Sequence, residues 1–517
     1  MATYEETLVA LDSDRADYRQ PMPPYNPIFG HLLFCNKIMS GVPRDAHLQY
    51  LPDQIRRALP ELGPNYYIDT WPFGPVILVV SSPSTMSQIT QEHSLPKHPG
   101  LRSFLLPLTD GLDIVTMEGQ QWKHWRNIYN PGFSANHLMA LVPDIVQETA
   151  TFCQILQEHA DAGDIFPMKD HTDNLAVDVM GKVVLDSRLN SQRSYNKMVD
   201  ALRSQVRTLT FGANIKPFAA YDPMRPLLQW HNSYRMNSHL SQELDHRFKI
   251  SQTGEKRLTK SIIDLALQTY TAEKPRDELD GMDATFKKFA MSQVKLFLFS
   301  GHDTTSSSIC YAFYLLSTHQ SALDSVRREH DAVFGSPLEQ RKEKLEQEPF
   351  LINQLPFTLA VIKESLRLFP PLSSPRAGEP GFHVKDTDGH SFPTDGFLIW
   401  SISQAMHRDP EFWPQPDTFL PERWLVAAGD TLAPAKGAWR PFEYGPRNCI
   451  GQELAIIEMK IVLVMALQAF DFEAAYEELD RLAPIAGRST VNGERAYQVQ
   501  LAQPSGDFPC RVKPARK

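Results

Sequence analysis

The sequence predicts a mainly α-helical protein with small β-sheets, and three observations carry that expectation. Segments 135–160, 171–186, 227–249, 284–318, 320–334 and 356–369 repeat apolar residues at three-to-four spacing between helix-breaking clusters. Residues 66–80, YYIDTWPFGPVILVV, are aromatic and β-branched around a Pro-Phe-Gly-Pro turn and predict a small hairpin. Further short β patches are expected at 382–400, where turn chemistry separates apolar strands, and near 495–512.

Composition narrows the class. A chain of 517 residues buries a large core without needing a metal clip. Its residues are 42% hydrophobic and 22% charged, with 40 prolines against 26 glycines, a globular balance without collagenous or disordered bias. Lys and Arg number 52 against 61 Asp and Glu, so a net charge of -9 excludes a globally basic, nucleic-acid-binding surface. The cysteines Cys35, Cys153, Cys310, Cys449 and Cys510 are odd in number, far apart and without a CxxC pair, which argues against a disulfide framework or zinc cluster and for a reducing compartment. Residues 1–20 lack the apolar core of a signal peptide, and no stretch reaches the ~18–20 uninterrupted apolar residues of a membrane span. With no internal repeat or Gly/Ser linker, the expected organisation is an N-terminal segment, 1–30, carrying the proline-rich stretch from Pro21 to Pro27 and no transmembrane helix, then one domain over 31–517.

The most informative stretch is Phe442-Glu443-Tyr444-Gly445-Pro446-Arg447-Asn448-Cys449-Ile450-Gly451, followed by a helical pattern. It delivers one cysteine to a helix N-terminus, where unpaired N–H groups and a positive dipole favour a thiolate and hence a soft metal ligand. Gly445 and Gly451 remove side chains where backbone must approach a flat ligand, and Arg447 offers a planar fork for a carboxylate. A lone cysteine beside an apolar helix is ordinarily buried filler. The pattern FxxGxRxCxG, however, resembles the haem-binding loop of the cytochrome P450 superfamily at all five fixed positions.

That resemblance extends over nearly the whole chain, because other landmarks follow in the family's order, and its texture is closest to fungal members. It implies the family's triangular-prism fold and haem b, with Cys449 as axial thiolate ligand favouring O–O cleavage and Phe442 shielding the sulfur. Glu364 and Arg367, three apart in LPFTLAVIKESLRLFPP, form an ExxR pair, and Arg423 in Pro421-Glu422-Arg423-Trp424 completes a triad, with Trp424 where Phe is frequent. Viewed alone ExxR is an ordinary surface pair; as a buried triad, loss of one member strands a charge at ~3–5 kcal/mol. Trp122 and Arg126 resemble the family's WxxxR helix, and Arg376 follows the ExxR helix, so both arginines are expected on the haem propionates.

The run Ser300-Gly301-His302-Asp303-Thr304-Thr305-Ser306-Ser307-Ser308 places poor helix formers inside an apolar helix, a local conflict that marks function more often than a solvated stripe. It is similar to the family motif that bulges over the haem. Asp303 and Thr304 would then be the catalytic acid–alcohol pair relaying protons to activated dioxygen. Ser300 stands where Ala or Gly is usual.

The chain contains no GxG fingerprint for a nicotinamide or flavin cofactor, so electrons are expected from a separate NADPH–cytochrome P450 reductase, with cytochrome b5 a possible second donor. Lys123 and Arg440, near the cysteine loop, are candidates for a basic docking face or for an ordinary solvated charged surface. The resemblance implies that substrate is shaped by Leu95 to Glu118, including Phe104, Leu105, Leu106 and Leu108, by the region near 206–224, by Leu372 and by a C-terminal hairpin, mostly apolar segments. The expected function is a monooxygenase that hydroxylates or epoxidises a hydrophobic secondary metabolite or lipid; the alternatives are a haem-thiolate isomerase or peroxygenase, or a haem sensor or carrier. The expected location is intracellular, in the cytoplasm or peripheral at the endoplasmic reticulum membrane, unless an anchoring start is missing.

Overall fold

The computed structural model describes residues 20–209, 222–252, 261–273, 281–482, 484 and 487–515. Residues 1–19, and most of the predicted substrate-shaping region near 206–224, lie outside them. Helices Ala135–Ala162, Met168–Leu185, Ala284–Thr318, Pro356–Leu368 and Gln452–Ala469 enclose one apolar core. The helix Ala284–Thr318 runs through its centre against Met168–Leu185. Its start is fixed by Asp283, whose carboxylate accepts the Phe286 N–H at 2.7 Å.

The predicted hairpin forms: Asn65–Asp69 pairs antiparallel with Val76–Val80. It joins a four-stranded sheet in which Val76–Val80 runs parallel to Leu398–Ser401, which pairs antiparallel with Ser374–Ala377. The patch at 382–400 is therefore divided. His383–Lys385 and Ser391–Pro393 make their own hairpin, while Leu398–Ser401 enters the larger sheet. The patch near 495–512 divides likewise between a Gln498–Val499/Gln503–Pro504 hairpin and the strand Pro509–Pro514, which lies between Phe166–Pro167 and Phe470–Ala474. All five cysteines are free thiols.

One buried imidazole ties the helix Pro356–Leu368 to the chain leading into the cysteine loop. His407 donates from Nδ1 to the Arg367 carbonyl at 3.1 Å and accepts the Arg440 N–H on Nε2 at 3.0 Å. His330, also buried, sits beside Thr358, whose hydroxyl already donates to Glu329; its Nε2–H must therefore donate to Thr358 Oγ1, at 2.8 Å. Burial, with neighbouring arginines adding to it, pulls both imidazoles down to about 3. Between that value and the ordinary ~6.5 of an unfolded chain, only the unfolded state takes up these protons. Their stability is therefore complete above pH ~6.5 and is lost as pH falls toward 3, at about 1.4 kcal/mol per pH unit for each group. Urea unfolding from pH 7.5 to 4.5 is expected to show this decline, and His407→Gln to shallow it. A flat profile would contradict the buried neutral imidazoles.

Candidate active site

The cysteine loop is a tight hairpin in which Cys449 N–H donates to the Phe442 carbonyl at 2.9 Å and Asn448 N–H to the Gly445 carbonyl at 3.1 Å. Gly451 then caps the helix Gln452–Ala469. Gly445 is at φ +90°, and a Cβ there would lie 2.1 Å from the Thr90 carbonyl oxygen. It is therefore glycine to admit the segment at residue 90, which corrects the expectation that it approaches a flat ligand. Gly451 does face the cavity, and a Cβ on it would make only ordinary contacts, at 4.0 Å, with Cys449 Sγ and Phe133.

That cavity has a volume of about 200 Å³. Cys449 Sγ opens into it, whereas Cys35, Cys153, Cys310 and Cys510 are buried in the core. Trp122, Arg126, Phe442, Arg447 and Thr304 line it as well. Burial pushes the Cys449 thiol up; the N–H groups of Gly451 and Gln452 and the Arg126 guanidinium pull it down without prevailing. The helix N-terminus thus favours the thiolate against the burial, and a bound cation would add to that effect.

The arginines differ from one another in what they have left to offer. Arg126 gives its donors to Asn130 and to the backbone and side chain of Asn448. Arg447 stacks on Trp122 at 4.6 Å, and its fork is taken by Glu118 Oε2 at 2.7 Å and by the Val115 and Met117 carbonyls. Its carboxylate partner is thus a protein one. Arg376 is fully buried rather than solvated; it donates to the Leu95 carbonyl at 2.9 Å, while Nε and Nη2 have no partner. Leaving such donors unmet costs ~1–3 kcal/mol each; Arg376 lies near Lys97, behind the cavity wall rather than in it.

Lys97, which the sequence did not single out, lines the cavity and donates to Ser374 Oγ at 2.5 Å. Burial, with Arg376 and Arg447 close by, pulls its ammonium down to about 7. One thiol below and several cations around the rim fit a metalloporphyrin bearing carboxylates.

Glu364 collects five donors. Arg367 approaches with Nε and Nη2 at 2.9 and 2.7 Å, Arg423 with Nε at 3.1 Å, Leu420 with its N–H at 3.0 Å and Trp424 with Nε1 at 3.1 Å. The three charged side chains are fully buried, and the remaining arginine donors end on the carbonyls of His407, Pro414, Gln415, Pro416 and Thr418. Trp424 is more than an aromatic replacement, because phenylalanine has no N–H to give.

The polar run at Ser300–Ser308 lies within a helix that is continuous from Ala284 to Thr318. Its hydroxyls return to the preceding turn: Ser300 Oγ to the Leu296 carbonyl, Thr304 Oγ1 to Ser300 and Ser308 Oγ to Thr304, at 2.7–2.8 Å. Thr304 lines the cysteine cavity, while its neighbour Asp303 faces a second, polar cavity of about 740 Å³. There Lys169 Nζ bridges Asp173 at 2.5 Å and Asp303 at 3.1 Å.

Other expectations shift. Leu105 and Leu108 are core residues and Leu106 points outward, so that stretch contributes Ile114 and Val115 to the cavity wall instead. Leu372 is exposed. Lys123 is exposed, but Arg440 is buried, with donors on Thr90, Gln91, Glu443 and the Gly437 and Pro83 carbonyls, so it offers no docking surface.

The cytochrome P450 family model matches residues 21–500. The chain is 44% identical to cytochrome P450 monooxygenase polC of Polytolypa hystricis over 95% of its own length and 89% of that protein's. It is 34% identical to cytochrome P450 monooxygenase acrF of Aspergillus aculeatus over 92% and 99%, and 28% identical to ptmG, a cytochrome P450 monooxygenase of Penicillium ochrochloron, over 98% and 92%. The chain belongs to the cytochrome P450 family of haem-thiolate monooxygenases. Among the described residues, no helix is long and apolar enough to cross a membrane.

Replacing Trp424 by Phe removes one hydrogen bond from a buried carboxylate, so a loss of ~1.5–3 kcal/mol is expected in urea unfolding of the haem-loaded protein. Unchanged stability would show that this indole contributes only its ring.

Proposed function

We propose that the chain inserts one oxygen atom of O2 into a hydrophobic organic substrate, a secondary metabolite or lipid, and that a separate NADPH reductase supplies the two electrons that reduce the other atom to water. The observation that carries this reading is the cavity bounded by the Cys449 thiol on one side and Thr304 on the other. When bound there, haem supplies reductive activation of O2 at a thiolate-ligated iron.

Cys449 is the residue to hold that iron, with Phe442 over the loop and Trp122, Arg126, Arg447 and Gly451 shaping the surround. Lys97, with Arg376 close behind it, is left to receive carboxylates. Glu364, Arg367 and Arg423 act beneath them by fixing the loop. The Thr304 hydroxyl donates to Ser300, so its lone pairs remain to accept a proton donor in the cavity. Asp303 takes protons from the polar cavity on the opposite face, while Lys169 holds its carboxylate in place. Ile114, Val115, Met180, Leu296 and Phe297 give the cavity an apolar wall, which supports a lipophilic substrate. The Ser300 hydroxyl, committed to Leu296, can still accept a hydrogen bond from it.

Oxygen uptake coupled to NADPH in the presence of a fungal reductase tests the reading. Product is expected in proportion to NADPH consumed, and Thr304→Ala is expected to divert most electrons to hydrogen peroxide. Turnover with peroxide alone and none with reductase would replace it by a peroxygenase. For Lys97, a carboxylate partner raises the ammonium above its present value of about 7, so on haem binding this group takes up a proton above that pH. The haem affinity of the parent protein relative to that of Lys97→Met is expected to fall by up to about tenfold per pH unit above pH 7, whatever proton Cys449 releases in both proteins. An identical pH profile in the variant would exclude Lys97 from this role.

A further inference from the structure

Outside the haem cavity, two imidazoles meet at the junction of helices Ala135–Ala162 and Met168–Leu185. His159 lies in the last turn of the first helix and His171 in the first turn of the second, with Phe166 in the short strand between them. His159 Nε2 and His171 Nε2 are 3.0 Å apart. The other nitrogen of His159 faces both oxygens of Asp164, at 2.9 and 3.1 Å. An ionised carboxylate only accepts, so Nδ1 carries the proton, and in the neutral ring Nε2 presents a lone pair toward His171.

We propose that His159 Nε2 and His171 Nε2 form a binding site for a divalent transition-metal ion of the Zn2+ or Cu2+ type, oriented by Asp164. Imidazole nitrogens bind zinc at ~2.0–2.1 Å, so two nitrogens at this separation flank one ion if their rings approach at an angle. They do: the ring centroids are 4.8 Å apart, too close for an end-to-end contact, and the planes cross at 64°. Phe166 fixes both rings, stacking on His159 at 3.9 Å and meeting His171 edge-on at 5.2 Å. Asp164 on the far nitrogen of His159 is the carboxylate–histidine arrangement that sets the tautomer and raises the basicity of a ligating imidazole. The His159 side chain retains 21% of its surface, which leaves room for water to complete the coordination. Borderline cations that accept nitrogen ligands fit this donor pair, with copper bound more tightly than zinc; calcium and magnesium, which require oxygen ligands, do not.

The ion would pin the first turn of the helix that carries Lys169 and Asp173, and so the partners of Asp303. The site does not depend on the reaction assigned to the haem cavity.

The test is titration of the haem-loaded protein at pH 7.5 with Cu2+, followed by electron paramagnetic resonance, and with Zn2+, followed by calorimetry. One equivalent with nitrogen hyperfine structure is expected. His159→Ala and His171→Ala should each weaken it at least about tenfold, and Asp164→Asn by about tenfold, while Asp386→Asn on the surface hairpin leaves it unchanged. Zn2+ should raise Tm of the parent protein and not of the histidine variants. Binding unaffected by both histidine substitutions, or no binding below ~1 mM, would show that the imidazoles share only a proton and would overturn the proposal.

Discussion

A carboxylate stripped of water governs the haem side of this molecule. Glu364 is fully buried, and no single neighbour neutralises it; five donors from the helix Pro356–Leu368 and the segment 420–424 converge on its two oxygens. Because the cost of an unpaired charge at such a depth exceeds anything the loop could recover elsewhere, these segments have one arrangement available. Two connections carry that arrangement to the cysteine. One is His407, hydrogen-bonded to Arg367 and Arg440; the other is a ladder of rings, Trp424 to Trp439 at 5.7 Å and Trp439 to Phe442 at 5.9 Å. Phe442 in turn receives the Cys449 N–H. Arg440 fastens the same loop to the segment at 83–91, where Gly445 passes too close to Thr90 for any side chain. The thiol is thus placed by constraints outside the loop that bears it.

The central helix solves a different problem. Ser and Thr compete with backbone hydrogen bonding, yet the run at 300–308 remains helical because its hydroxyls back-bond to the preceding turn and neighbouring helices supply apolar cover. Adjacent residues then serve opposite sides. Thr304 looks into the cavity of Cys449, and Asp303 looks into a polar cavity under the control of Lys169. Burial pulls the Lys169 ammonium down, but Asp173 and Asp303 outweigh it and hold the ammonium above its usual range, so the clamp stays charged. Two consecutive residues of one helix thus face an apolar cavity and a polar one.

Much of this was legible in the sequence where one segment carries its own signal. The helices at 284–318 and 320–334 are bounded as read, because apolar periodicity and a clear stop coincide. The helix Leu338–Gln347 gave no such signal: its sequence, LEQRKEKLEQ, is almost wholly polar, and it is held by a buried Arg341 reaching Asp331, Gln468 and the Val464 carbonyl. The cysteine loop and the ExxR pair were readable as motifs, and the geometry brings Cys449, Trp122, Arg126, Phe442, Arg447, Gly451 and Thr304 to one cavity. Lys97 was not readable, since its importance lies in proximity to Ser374, Arg376 and Arg447, far away in the chain. Nor were the separate duties of three arginines that look alike as letters: protein partners occupy Arg126 and Arg447, and only Arg376 keeps buried donors unmet.

The account stands on sulfur from Cys449 reaching the iron. The absorption difference spectrum of the dithionite-reduced protein with and without carbon monoxide reports the ligand opposite the gas directly. A thiolate-type band in the parent protein that vanishes in Cys449→Ser, while Cys310→Ser retains it, is the predicted result. A band typical of nitrogen ligation in the parent protein, or a thiolate band surviving in Cys449→Ser, would contradict the assignment.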